Sequence, residues 1–162
     1  MAGPRWWVAA LLLVGALLAQ TTLLHLATVR GVAPSLVLVI VVWYAIAVDT
    51  RRAAIFGMFA GLTEDVFAAT TGGAWTVSTT LVAIIAGMLS RGFFADSIPL
   101  VAAITAFATL VRALVFWVVM AAQGYPSGLA LLHFHQALLQ MVLNAMAMAV
   151  FVLIVRRFEN RT

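Results

Sequence analysis

Apolar residues run along this chain in six stretches, at about 6–28, 32–48, 53–69, 75–89, 98–122 and 131–155, with short polar breaks between them. Runs this long and uniform predict helices surrounded by hydrocarbon, because about 20 residues rising 1.5 Å each span a bilayer core of about 30 Å. The breaks carry turn chemistry: Arg30-Gly31, Asp49-Thr50-Arg51-Arg52, Thr70-Thr71-Gly72-Gly73, Arg91-Gly92 to Pro99, and Gln123-Gly124-Tyr125-Pro126-Ser127-Gly128. The third and fourth stretches are short for full crossings. Two arrangements follow, six complete crossings or four crossings plus a re-entrant hairpin shielded by protein. The first stretch, with Arg5 ahead of an apolar run, also has the outline of a signal peptide. Its run outlasts the usual h-region and no clear A-x-A site follows, so a retained helix is expected.

Composition strengthens the membrane reading. Of 162 residues, 65% are hydrophobic and 9% charged, and the mean hydropathy is +1.16. One polytopic unit over 1–162 is expected, an all-α bundle in a lipid bilayer. The nine basic residues are all arginines scattered among apolar segments rather than gathered in a patch, so nucleic-acid binding is not expected. Cysteine is absent, which excludes disulfides, thiolate metal sites and a cysteine nucleophile. A cytoplasmic N-terminus puts Arg5, Arg51, Arg52, Arg91, Arg156, Arg157 and Arg161 inside and leaves Arg30 in an outside loop. The positive-inside rule therefore favours both termini in the cytoplasm. Arg112 falls within the fifth stretch.

The candidate chemistry is sparse. Glu64 and Asp65 adjoin one another in a nearly uncharged stretch. A carboxylate at the bilayer centre costs roughly 2.5–3.5 kcal/mol on insertion scales, so these acids are expected to face protein or a polar cavity. Glu64 lies about 17 Å along its stretch and Arg112 about 20 Å along the fifth, from the same side of the membrane. Arg112 can therefore reach Glu64 or Asp65. The other readings are an arginine that snorkels outward and acids that meet water near the glycine turn. Gly57 and Gly61 form a small-xxx-small pair continued by Asp65, a face expected to receive a helix, with packing inside the chain as the default. Gln136, Gln140 and Asn144 recur every four residues near His133 as a polar stripe, read first as interhelical glue and second as the lining of a ligand channel. His25 sits near the end of the first stretch. His133 and His135 turn toward different faces of a helix, a poor metal pair, and neither metal nor cofactor is expected. Adjacent acids on a helix diverge by about 100°, and no H-E-x-x-H, G-x-S-x-G or P-loop pattern accompanies them, so no enzyme is expected. Trp6, Trp7, Trp43, Tyr44 and Trp75 read as anchors at helix ends, and Met141, Met146 and Met148 as packing residues.

Several of these residues fall in a familiar order. Ala33-Pro34-Ser35-Leu36 opens a Val/Ile run, Arg52-Ala53 follows, then Gly57-x-x-x-Gly61-Leu62-x-x-Asp65, a glycine turn, Leu81, Gly87 and Arg91. This order resembles the MreD rod-shape-determining family, most strongly between Pro34 and Arg91. Two departures, Glu64 beside Asp65 and Gly73-Ala74-Trp75-Thr76 in place of a Leu-Gly-containing turn, bear on contacts near that turn. The resemblance implies a non-enzymatic component of the bacterial inner membrane that serves cell elongation and associates with an MreC-like single-span protein. A RodA-like glycosyltransferase, a class B penicillin-binding transpeptidase and MreB filaments would form the wider assembly. It also implies a compact six-segment bundle similar to the substrate-binding subunits of energy-coupling-factor vitamin transporters. From that likeness comes the second functional reading, a small-solute transporter subunit whose pocket is built from Glu64, Asp65, Arg112, Gln136 and Gln140.

Overall fold

The computed structural model describes residues 4–22, 28–69, 71–89 and 97–159. His25, Thr70, Arg91 and Arg161 lie outside the described residues, as does most of the break that begins at Arg91. Among the described residues there are six α-helices and no β-strand: α1 (Trp6–Thr22), α2 (Leu36–Ala47), α3 (Thr50–Ala68), α4 (Ala74–Leu89), α5 (Ile98–Ala122) and α6 (Ala130–Glu159). A 3-10 turn, Ser127–Leu129, leads into α6.

Local chemistry sets the ends. The second apolar stretch becomes helical only at Leu36, because Pro34 has no amide to donate and Ser35 stays extended (φ −88°, ψ 96°), its hydroxyl accepting the Leu38 N–H at 3.3 Å. Before it, Val29 and Val32 exchange both backbone hydrogen bonds across a two-residue turn in which Arg30 (φ 51°) and Gly31 (φ 79°) are both left-handed. That is the geometry of a type I′ turn, in which a glycine fits without strain. α3 starts three residues ahead of its apolar stretch because Asp49 caps it, accepting the Arg52 N–H at 3.1 Å. That bond first, and then the nearby Arg52 guanidinium, hold the exposed Asp49 carboxyl below its ordinary value of 3.8. α3 ends where Ala69 turns left-handed and donates its N–H to the Asp65 carbonyl at 3.0 Å.

α2 is apolar on every side and is accordingly the buried centre, with Val37, Leu38, Val41, Val42 and Ala45 excluded from solvent. α1, α3, α4, α5 and α6 all pack against it, while α3–α4 and α5–α6 form two helical hairpins joined along α4 and α5. Large apolar side chains instead cover the outside, among them Leu11, Val14, Met58, Phe59, Leu62, Val66, Phe107, Leu114, Val118, Leu138, Val142 and Val150. A surface of this kind needs a hydrocarbon solvent. α5 and the segment Ser127–Phe158 are each long and apolar enough to cross a membrane.

Candidate functional site: a buried ion pair and its polar seam

The α3–α4 hairpin closes because α3 is notched. A methyl group on Gly61 would lie 2.6 Å from the Thr76 Cα and 2.6 Å from the Trp75 carbonyl, and one on Gly57 would lie 2.5 Å from the Ala83 Cβ. The glycine face thus receives a helix, and that helix is α4 of the same chain.

Such close approach brings the two acids to different places. Asp65 reaches the start of α4 and saturates it: Oδ1 accepts from the Thr71 hydroxyl at 2.5 Å and the Trp75 N–H at 3.1 Å, Oδ2 from the Thr76 N–H at 2.8 Å and the Thr76 hydroxyl at 2.6 Å. Helix N-termini hold unsatisfied donors and partial positive charge, so a carboxylate from the preceding helix caps α4 in place of an N-cap of its own. Glu64 points instead into the bundle. There it forms an ion pair with Arg112 of α5, through Glu64 Oε2 and Arg112 Nη2, and accepts the Thr79 hydroxyl at 3.4 Å. Side-chain exposure is 5% for Arg112 and 8% for Glu64, so neither charge has water to fall back on.

The guanidinium has two further partners. Its carbon stands 4.4 Å over the Trp75 ring, a cation–π contact, and Nη1 donates to the Ser35 hydroxyl at 2.9 Å. From Ser35 the seam continues to α6. The Ser35 N–H donates to Asn144 Oδ1 at 2.7 Å, and Asn144 Nδ2 donates to the Thr109 hydroxyl at 3.0 Å. Thr109 in turn donates to the Thr105 carbonyl at 2.8 Å. Gln140 adds a parallel tie, donating to the Ala33 carbonyl at 3.2 Å. Five elements, α3, α4, the 33–35 segment, α5 and α6, are thus stitched together around one buried pair.

Of the residues singled out in the sequence, Glu64, Arg112, Gln140 and Asn144 belong to this seam. Asp65 does not pair with Arg112. Gln136 is exposed and lines a cleft of about 340 Å³ beside the pair, together with Gln20, Trp75, Arg112, His133 and Gln140. A second cleft of about 320 Å³ shares Gln20, Trp75, Arg112 and Gln140. His133 packs between Phe116 and Trp117 with Nε2 3.0 Å from the Ala113 carbonyl, while His135 turns to the Leu131 carbonyl of its own helix. No group of three potential metal ligands occurs among the described residues. Sequence reasoning missed Ser35, Thr79 and Thr109, and it read Trp75 only as an anchor. Ser35 carried a legible signal, a cap residue just ahead of an apolar run. The two threonines carried none, since hydroxyls are ordinary in membrane helices, where they bond to their own backbone.

No curated protein and no solved structure matches this chain. The family of the rod shape-determining protein MreD does match, over residues 4–162, which takes in every helix and the whole polar seam. The ordered glycine notch, acid cap and Pro-Ser entry to α2 are therefore features of a membrane protein that belongs to the MreD family of rod shape determination.

Proposed function

We propose that the chain is a non-enzymatic scaffold of the bacterial inner membrane, crossing it six times with both termini in the cytoplasm. It holds an MreC-like single-span protein by helix–helix contact within the cell-elongation machinery. A RodA-like glycosyltransferase, a class B penicillin-binding transpeptidase and MreB filaments complete the assembly, and peptidoglycan chemistry belongs to those partners. The observation that carries this reading is the use made of the buried polar groups. The buried Glu64, Arg112, Ser35 and Asn144 and the half-buried Asp65 are engaged with the chain's own helices, whereas the outward surface is apolar helix. A rigid bundle with short loops offers a partner its lipid-facing helices and little else.

The test is a pull-down of the tagged chain from native membranes into nanodiscs, followed by mass spectrometry of stoichiometric partners. A single-span MreC-like protein is the expected companion; an ATPase-linked transport module in its place would reject the scaffold.

The second reading, a substrate-binding subunit of a vitamin-type transporter, is favoured by the cleft of about 340 Å³ beside the ion pair, which falls in the size range of small-ligand sites. On this reading the bundle is similar to energy-coupling-factor subunits and Gln136 and Gln140 face the solute. A purified protein that carries a stoichiometric metabolite would move the assignment to it.

A further inference from the structure

At the end of the bundle away from the polar clefts, α1 and α3 diverge and leave a groove of about 900 Å³ over α2, walled by Trp7, Leu13, Ile55, Phe56 and Phe59. Three properties define what fits it. Its lining is apolar apart from one end, where Arg5 and Arg52 stand. Asp49 offsets Arg52 through an exposed contact at 3.1 Å, but Arg51 is adjacent, so the mouth keeps a net positive charge. On its floor Tyr44, 4% exposed and tilted against Phe56 at 4.5 Å, adds a phenol to the lining. Finally, the walls run from Trp6 to Leu13 on α1 and from Arg52 to Phe59 on α3, seven helical steps each and so about 10 Å deep. That is less than one leaflet, half of a core of about 30 Å.

We infer that this groove seats one anionic phospholipid of the adjoining leaflet, with its phosphate between Arg5 and Arg52, an ester or glycerol oxygen on the Tyr44 hydroxyl, and an acyl chain along Phe56 and Phe59. A cation pair above an apolar trough matches a lipid headgroup and tail in order along the membrane normal. A transmembrane helix from a partner fits less well, because it would need an apolar seat through the full core thickness rather than through its first 10 Å or so.

The experiment is native mass spectrometry of the full chain in mild detergent, titrated separately with phosphatidylglycerol and with phosphatidylcholine. One phosphatidylglycerol is expected to stay bound in preference to phosphatidylcholine, and Arg5→Gln/Arg52→Gln to weaken it on the order of tenfold. Both arginines are exposed, so the variant should fold, with an unchanged melting temperature in lipid-free detergent as the check. Arg30→Gln, in the exposed turn ahead of α2, should leave binding intact. Equal retention of phosphatidylcholine, or undiminished phosphatidylglycerol binding by the double variant, would overturn the assignment. So would a photo-crosslinker at Phe59 that captures a protein helix instead of lipid in native membranes.

Discussion

Glu64 and Asp65 are neighbours in sequence and opposites in role, and the difference is one of direction on a helix. A step of about 100° sends one carboxylate to the terminus of α4 and the other into the bundle. Asp65 meets four donors, two backbone N–H groups at the start of α4 and two threonine hydroxyls, so its environment is complete without a countercharge. Among the described residues Glu64 has only Arg112 and Thr79. Each member of that pair would therefore be an uncompensated buried charge without the other. Arg112→Met alone and Glu64→Gln alone should each destabilise the protein by about 3–5 kcal/mol in detergent unfolding. The double variant should lose much less than the sum of the two, because the desolvation penalty goes with the charges. Strict additivity in that cycle would show that the pair is not coupled.

Among the elements, the α3–α4 hairpin depends most on the absence of atoms. An added methyl on Gly61 runs into backbone of α4, which cannot swing aside as a side-chain tip can. Gly61→Ala and Gly57→Ala should thus each cost about 1–3 kcal/mol of stability, by overpacking. Gly15→Ala on α1, where nothing lies within 4 Å of the new carbon, should be neutral or raise stability by up to about 1 kcal/mol. Thermal unfolding of the three variants in one detergent separates them, and equal melting for Gly15→Ala and Gly61→Ala would contradict the close approach. This hairpin was half legible beforehand. The Gly57/Gly61 spacing announced a helix neighbour, but its identity depended on the short connection between Ala68 and Ala74 folding α4 straight back.

For the whole molecule, the proposed topology of six crossings with both termini in the cytoplasm makes a prediction for each loop. The loops at Gly73 and Ser127 should face outward, and Asp49 and both termini the cytoplasm. Because the chain has no cysteine, single-cysteine variants report this without background. Gly73→Cys and Ser127→Cys should react with a membrane-impermeant maleimide in intact cells, and Asp49→Cys only after permeabilisation. A Gly73→Cys variant that resists external labelling while Ser127→Cys reacts would turn the α3–α4 hairpin into a re-entrant one. By itself the sequence determined what depends on local order: an all-helical membrane protein, the positions of its breaks, and a short inventory of polar groups in apolar stretches. These follow from periodicity, hydropathy and turn chemistry, which act over a few residues. Only the tertiary structure decided which acid meets Arg112, that Ser35 links it to Asn144, that Trp75 lies beneath the guanidinium, and that α1 and α3 part to leave a groove over Tyr44. Those contacts join residues 37 to 109 positions apart, or rest on how three helices splay. Their partners are set by helix rotation and packing, which no local pattern in the chain encodes.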